Sequence, residues 1–152
     1  VLKKLNSNLM LFYTGFKRTA HDIAKSYVNK LSKSKKSHIM EICSFVKESE
    51  KLLKEGNNLN DFGKLLHESW REKKSLSSSI SNSSIDDIYN TAMKKGALGG
   101  KLLGAGGGGF LLLYVPQSRQ KNLLKHFDKL ITVPFKFASQ GSKILFKNIE
   151  KK

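Results

Sequence analysis

The stretch Gly96–Phe110, GALGGKLLGAGGGGF, decides how the rest of the chain is interpreted. It holds eight of the 12 glycines, and four of them, Gly106–Gly109, stand directly before the apolar run FLLLYV. Glycine is used where φ must be positive or where the backbone approaches another group closely. The stretch therefore predicts two strands, Lys101–Leu103 and Phe110–Val115, that pair through a glycine-rich loop. Successive N–H groups of such a loop are suited to an anion.

This loop matches neither of two common phosphate-binding sequences. The P-loop pattern G-x-x-x-x-G-K-[ST] does not occur, and a Rossmann fingerprint would open a helix, whereas a strand-like run follows here. On the residues alone, two interpretations stay open: a tight turn with close backbone packing, and a loop that binds phosphates.

Strand and helix periodicities alternate upstream of the loop. Residues Asn8–Gly15, NLMLFYTG, predict a buried strand. Apolar residues at helical spacing then predict two helices, at about 18–31 and 37–55. Gly56 predicts the end of the second helix, because glycine adopts the left-handed conformation found after helix ends.

A third helix and a serine-rich segment lead into the glycine-rich stretch. Asn60 or Asp61 is expected to cap the third helix. The serine-rich segment Ser75–Ser84 follows, and Ser83 or Ser84 is expected to cap a fourth helix.

Downstream of the loop, Pro116 predicts the end of the strand and a helix at about 117–127. Residues Ile131–Phe137 alternate around Pro134, which indicates an edge strand, since proline cannot donate to a central ladder. Residues 144–146 are apolar enough for a last short strand.

Strands at both ends with helices between them predict an α+β fold. We expect a ferredoxin-like antiparallel sheet of about four strands with helices on one face. A chain of 152 residues suits one domain, expected to span residues 1–152.

The charge of the chain is strongly positive, with a formal net charge of +16. Only three of the basic residues are arginines, Arg18, Arg71 and Arg119, and the lysines are spread along every predicted helix. Bidentate recognition of bases relies on arginine. A solvated lysine-rich surface that attracts anionic substrates is therefore expected, and a nucleic-acid partner is not.

Cysteine content and hydropathy give two further expectations. Cys43 is the only cysteine, so no disulfide forms within the chain, and its amphipathic surroundings predict a buried thiol. No apolar run approaches the roughly 18 residues of a membrane span. We expect a cytoplasmic protein without a membrane partner.

The glycine-rich stretch carries a family resemblance. KLLGAGGGGF, Lys101–Phe110, resembles the third signature motif of the GHMP kinases, and Phe62–Val115 resembles their D-glycero-D-manno-heptose 7-phosphate kinase subgroup. YTGFKRTA, Tyr13–Ala20, and the segment Val133–Ser142 are similar to the same subgroup. The resemblance covers nearly the whole chain and implies the GHMP kinase C-terminal domain.

This resemblance implies an ATP-dependent sugar kinase that uses ATP and Mg²⁺ to phosphorylate a sugar hydroxyl, with heptose 7-phosphate as the first acceptor to consider. The residues expected to lie near the nucleotide phosphates and to support the phosphate loop are Gly104, Ala105, Gly106, Gly107, Gly108 and Gly109. The residues expected to contact the substrate are Thr14, Gly15, Arg18, Ser81 and Lys101. Three of these residues also have a purely structural interpretation. Arg18 would be a surface residue at a helix start, Ser81 would cap the start of a helix, and Lys101 would occupy an exposed position on an edge strand.

The phosphate loop of the family, P-x-x-x-G-L-G-S-S, does not occur in this sequence. In the family it lies in an N-terminal domain, together with the residues that act on the acceptor hydroxyl. The resemblance therefore implies a missing N-terminal kinase domain as partner, no catalytic residue in this chain, and no activity of the chain alone. A homodimer is left open.

Two other functions stay open on the sequence: a basic nucleic-acid-binding module of ferredoxin-like fold, and a non-catalytic interaction domain. The first would present aromatic side chains on the open face of its sheet. The strands found here are apolar and lack that pattern.

Overall fold

The computed structural model describes residues 1–17, 20–28, 35–138 and 141–142. Within these residues the helices are α1 (Leu2–Asn8), α2 (Ala20–Val28), α3 (Lys36–Glu55), α4 (Leu59–Lys74), α5 (Ser83–Lys94) and α6 (Gln117–His126). The strands are β1 (Leu9–Tyr13), β2 (Gly99–Leu102), β3 (Phe110–Tyr114) and β4 (Ile131–Thr132), and a 3₁₀ helix, Ser78–Ile80, lies between α4 and α5.

The four strands form one antiparallel sheet in the order β2-β3-β1-β4. This order, with helices after β1 and after β3, is the ferredoxin-like arrangement predicted from the sequence. The pairing across the glycine-rich loop is also confirmed. Lys101 lies opposite Leu112, and the N–H of Leu103 donates to the carbonyl of Phe110 at 2.8 Å.

Side chains on both faces of the sheet are buried. Leu111 and Leu113 of β3 belong to the larger apolar cluster, which includes residues of α5 and α6. Tyr114 points to the other face and packs in a second cluster with Leu5 of α1 and Leu59 of α4. The expectation that helices cover one face only is wrong, because α1 and the first turn of α4 cover part of the second face.

Two glycines let α4 lie directly against β2. A Cβ at Gly99 would overlap the carbonyl oxygen of Gly63 and would lie 2.7 Å from the amide nitrogen of His67. A Cβ at Gly63 would lie 2.6 Å from the ring of Tyr114. These approaches are too close for a carbon atom, so the contact of α4 with β2 requires glycine at position 99, and glycine at position 63 leaves room for the Tyr114 ring of β3.

The cap of α4 lies before the predicted one. The side chain of Asn58 accepts a hydrogen bond from the N–H of Asn60 at 3.2 Å, so Asn58, and not Asn60 or Asp61, caps the helix. Asp61 instead accepts from the Asn58 amide at 2.8 Å. A run of polar residues offers several cap candidates, and the sequence alone did not separate them.

The cap of α5 also lies earlier than predicted. Asn82 accepts from the N–H of Ile85 at 3.0 Å, and Ser83 and Ser84 are already helical. The serine-rich segment is thus ordered by one asparagine at its end and by the buried Ile80 within it.

The exposure of Cys43 contradicts the prediction of a buried thiol. None of the residues of α3 is fully buried, because this helix lies on α4 at the outside of the molecule and Cys43 is on its outer side. The end predicted at Gly56 is confirmed, with φ of 66°.

The C-terminal edge strand is shorter than predicted. β4 lies at the sheet edge as expected but ends at Thr132, two residues before Pro134, which has no N–H for the ladder. The strand expected at 144–146 lies outside the described residues. Among the helices that the structure describes, none combines the length and the apolar character that a membrane span requires.

Candidate functional site

The end of the glycine-rich loop, Gly104–Gly109, is fixed by the residues that follow β1. The N–H and the hydroxyl of Thr14 both donate to the carbonyl of Gly109, each at 2.9 Å. The N–H of Gly109 in turn donates to the carbonyl of Phe16 at 2.9 Å. A Cβ at Gly108 would lie 2.5 Å from that same carbonyl oxygen, so this close approach requires glycine.

The middle of the loop is fixed by the serine-rich segment. The N–H of Gly107 donates to the carbonyl of Ile80 at 2.8 Å. Gly106 has φ of 116°, and a Cβ there would lie 2.8 Å from the same carbonyl oxygen. The N–H groups of Gly106 and Gly108 have no hydrogen-bond partner among the described residues. They are donors that a bound anion would satisfy.

The start of the loop is held by a lysine from α4. The amine of Lys73 donates to the carbonyl of Leu102 at 3.3 Å and also to the carbonyl of Gly104. Burial, together with the nearby charge of Lys101, lowers the pKa of Lys73 to about 8. The loop is therefore tied to three different elements, one at each end and one in the middle.

A cleft of about 250 Å³ opens beside the middle of the loop. Its wall includes Gly107 of the loop, Ser79, Ser81 and Asn82 of the serine-rich segment, and Asp22 of α2. Hydroxyl and amide groups both donate to and accept from hydroxylated ligands, and a carboxylate accepts from them. The cleft thus joins a polar wall to a glycine-rich backbone.

Ser81 is itself held in place by an ion pair. Its hydroxyl donates to the carboxylate of Asp86 at 2.9 Å, and the same oxygen accepts from the amine of Lys74 at 3.0 Å. The hydroxyl hydrogen of Ser81 is thereby committed, while its oxygen keeps acceptor capacity. Ser81 does not cap α5, since Asn82 does.

The structure brings together some of the predicted site residues. Gly107 and Ser81 line the same cleft. Thr14 lies under the loop, 5% exposed, and its hydroxyl is directed to Gly109, so it positions the loop. Gly15, with φ of 81°, is exposed just beyond it. Arg18 lies outside the described residues.

Lys101 is placed apart from that cleft. It lines a different pocket, of about 150 Å³, between α3 and α4, together with apolar residues such as Phe45 and Leu65. Burial lowers the pKa of Lys101. Lys101 does not line the cleft of Ser81. Its charge acts on the loop indirectly, because burial and this charge together lower the pKa of Lys73.

Two residues of the site were missed by the sequence reasoning. Lys73 belongs to an ordinary basic helix end, REKK, and nothing in that pattern marks a lysine whose amine reaches a loop 29 to 31 residues away. Asp22 is an acidic residue in the first turn of α2, a common position for helix stabilisation. Only the tertiary structure places either one at the loop or the cleft.

The described residues do not by themselves form a metal site. No three of their histidine, cysteine or acidic side chains converge closely enough to hold an ion. Mg²⁺ in nucleotide sites is typically bound by one or two carboxylates and by substrate phosphates.

Residues 49–130 match the family model described as GHMP kinases C terminal, a match over more than half of the chain. The chain is 33% identical over 148 residues to the D-glycero-alpha-D-manno-heptose 7-phosphate kinase of Campylobacter jejuni, covering 94% of this chain and 43% of that protein. It is 30% identical to the L-fucokinase/L-fucose-1-P guanylyltransferase of Bacteroides fragilis, over 68% of this chain and 11% of that protein.

A solved structure shares the fold. The mevalonate kinase of Methanococcus jannaschii superimposes with a TM-score of 0.71 at 26% identity, over 87% of this chain and 40% of that one. The chain thus spans less than half the length of each of these relatives.

Proposed function

Since the chain belongs to the GHMP kinases, through their C-terminal family, we propose that it forms the C-terminal domain of an ATP-dependent kinase that phosphorylates a hydroxyl group of a small molecule. Its partner is an N-terminal domain that carries the phosphate loop. The proposed roles are distinct: the glycine-rich loop lies beside the nucleotide phosphates, and the polar cleft holds the acceptor.

One observation carries this proposal: Gly107 and Ser81 line the same cleft. A phosphate-facing backbone and a hydroxyl-binding wall must adjoin in a kinase, because the acceptor oxygen attacks the terminal phosphorus in line. Gly106 and Gly108 offer backbone donors on the loop side. Ser81 offers an acceptor on the other side.

Phosphoryl transfer needs mainly positioning and charge stabilisation. The residues of this chain supply positioning. The carbonyl of Ile80 holds Gly107, and Thr14 and Phe16 hold Gly109, so the loop keeps one conformation as ATP binds. The residue that orients the acceptor hydroxyl and the main phosphate cradle belong to the N-terminal domain in this proposal.

We propose heptose 7-phosphate as the acceptor, because the relative that covers 94% of this chain carries that name. Hydroxyl groups of the sugar match the serine, asparagine and carboxylate groups of the cleft. The sugar phosphate needs a cation, and Arg18 stays the proposed one because a guanidinium binds phosphate bidentately. Gly15 stays proposed beside it, and Thr14 acts through Gly109.

Mg²⁺ would enter with the phosphates of ATP and neutralise their charge. Asp22 is the one carboxylate on the wall of the cleft within the described residues. A nucleic-acid-binding or interaction domain is not favoured, because the proteins matched are kinases. A cytoplasmic location and a homodimer stay predictions.

ADP release by the longer protein that contains this chain tests the proposal. Mg-ATP would be combined in turn with heptose 7-phosphate, fucose and mevalonate. We expect the highest kcat/KM with heptose 7-phosphate. A higher kcat/KM with fucose or mevalonate would replace heptose 7-phosphate as the proposed acceptor. If none of the three is phosphorylated, the proposed kinase function is contradicted.

The cleft is tested by an Asp22→Asn variant of the same longer protein. The KM for the acceptor should rise several-fold, because an amide replaces an acceptor-only carboxylate. Asp87→Asn, an exposed acidic change on α5, is the matched control. Equal acceptor kinetics in both variants would remove Asp22 from the acceptor site.

A further inference from the structure

We propose that Lys73 is a positioning residue for the glycine-rich loop, whose amine ties the carbonyls of Leu102 and Gly104 to the end of α4, so that the charge of this amine sets where the loop lies. Only the predicted effect of Lys73 on ATP kinetics rests on the proposed function. The contact of Lys73 with the loop is independent of that function.

The geometry that carries the proposal is a single amine between a rigid helix and the first residues of a loop. Lys73 lies in the last turn of α4, and this helix is seated on β2 through Gly63 and Gly99. The amine contacts the carbonyl of Leu102, the last residue of β2, and that of Gly104, two residues on. Movement of the loop start must therefore break contacts to a fixed support.

The N–H of Leu103 donates to the carbonyl of Phe110, but Gly104 itself makes no other hydrogen bond among the described residues. A Cβ at Gly104 would meet nothing within 4 Å, and this residue is exposed with φ of 73°. The other two attachments, at Gly107 and Gly109, are made by backbone groups and by a threonine hydroxyl. Only the attachment at Gly104 uses a side chain that changes charge near neutral pH.

The charged side chains near Lys73 do not compete with these two carbonyls for its amine. Lys101 on β2 is close enough to repel the charged amine of Lys73. The charged neighbours on α3, α4 and α5 are paired with one another: His38 with Glu72, Arg71 with Glu68, and Lys74 with Asp86. No acidic side chain of the described residues pairs with Lys73.

Burial and the charge of Lys101 lower the pKa of Lys73 to about 8. At pH 7 the amine is mostly charged, and at pH 9.5 it is mostly neutral. Hydrogen bonds from a charged donor are roughly twice as strong as those from a neutral one. The hydrogen bonds to the two carbonyls should therefore weaken when the amine of Lys73 loses its proton.

Carbon-detected NMR of the 152-residue chain tests the contact, since carbonyl signals do not depend on exchangeable amide protons. The ¹³C shifts of the Leu102 and Gly104 carbonyls should change together between pH 6.5 and 10, with a midpoint near 8. Lys73→Arg should remove this transition, because arginine stays protonated. Lys101→Gln should keep the transition and raise its midpoint, because a repelling charge is lost.

A wild-type chain without this transition, or an arginine variant that keeps it, would overturn the contact. Lys64→Met, which removes an exposed lysine of the same helix, should leave the transition unchanged.

Kinetics of the longer protein test the positioning. Lys73→Met should lower kcat/KM for ATP about tenfold, which corresponds to about 1.4 kcal/mol, and Lys64→Met should not. Unchanged ATP kinetics in Lys73→Met would overturn the positioning role. A longer protein that phosphorylates nothing would instead overturn the proposed function, and the carbonyl titration would still decide whether Lys73 holds the loop.

Discussion

The hydroxyl of Thr14 donates a 2.9 Å hydrogen bond to the carbonyl of Gly109, across 95 residues of sequence. It joins the residue after β1 to the last glycine of the loop before β3, and it lies in the interior, with Thr14 only 5% exposed. The predicted strand end, Thr-Gly, and the predicted glycine loop are therefore in direct contact, and this hydrogen bond joins them.

Replacing Thr14 with valine should destabilise the chain by about 1 kcal/mol. Valine keeps the shape of the side chain but removes the hydroxyl's hydrogen bond to Gly109 and the longer one, of 3.4 Å, that the hydroxyl accepts from the N–H of Phe16. Urea unfolding measures the free energy. Thr14→Ser is the matched control, because it keeps the hydroxyl. A valine variant at least as stable as the serine variant would show that the hydroxyl does not hold Gly109.

Replacing Gly99 with alanine should destabilise the chain by at least about 3 kcal/mol, because the new methyl group overlaps the backbone of α4 at Gly63 and His67. Gly141→Ala is the control, since a Cβ there meets nothing within 4 Å. Thermal and urea unfolding of both variants make the comparison. An alanine at position 99 that costs no more than one at 141 would contradict the close seating of α4 on β2.

The stability of the chain should rise with pH between about 8 and 10.5. The pKa of Lys73 is lowered from 10.5 to about 8, so in this range the unfolded chain binds the proton and the folded chain does not. Lys73→Met should remove this part of the rise in unfolding free energy. A rise of the same size in the variant would assign it to other groups.

The same loss of charge should act on the loop in the opposite sense. A neutral amine relieves the burial of charge, which favours the fold, but it donates more weakly to the carbonyls of Leu102 and Gly104. A charged lysine in a partly buried position lowers stability, and functional sites often keep such residues because activity requires them.

The 152-residue chain alone should release no ADP from Mg-ATP in the presence of heptose 7-phosphate. It lacks the sequence P-x-x-x-G-L-G-S-S, and its described residues hold no cluster that could bind a metal ion. A coupled ADP assay with the longer protein as positive control measures this. Turnover by the chain alone would mean that it contains a phosphate cradle of another kind.

The strands around the loop could be predicted because local pattern determines them. The run FLLLYV is apolar and strand-sized, and the glycines before it have one structural use at a hairpin. The end of α3 at Gly56 followed from the same kind of local rule. The missed helix α1 buries only Leu5 and has no side-chain cap, so its sequence carries little signal.

The site could be predicted only in part. The glycine loop and Ser81 were proposed from family resemblance; Gly107 and Ser81 line one cleft, and their binding roles stay predictions. Lys101 was expected beside them but faces α3 and α4. The contacts of Lys73 with the loop and the place of Asp22 in the cleft depend on how α4 and α2 pack, which no local pattern encodes.

Paramagnetic broadening by Mn²⁺–ATP in the longer protein measures most directly whether the loop lies beside the nucleotide phosphates. The amide signals of Gly106, Gly107 and Gly108 should broaden at low Mn²⁺–ATP and recover with excess Mg²⁺–ATP. The amide of Gly96, before β2 at the other end of the sheet, should broaden much less. Broadening that spares the loop glycines, or that is equal at Gly96, would mean that the loop does not lie beside the nucleotide phosphates.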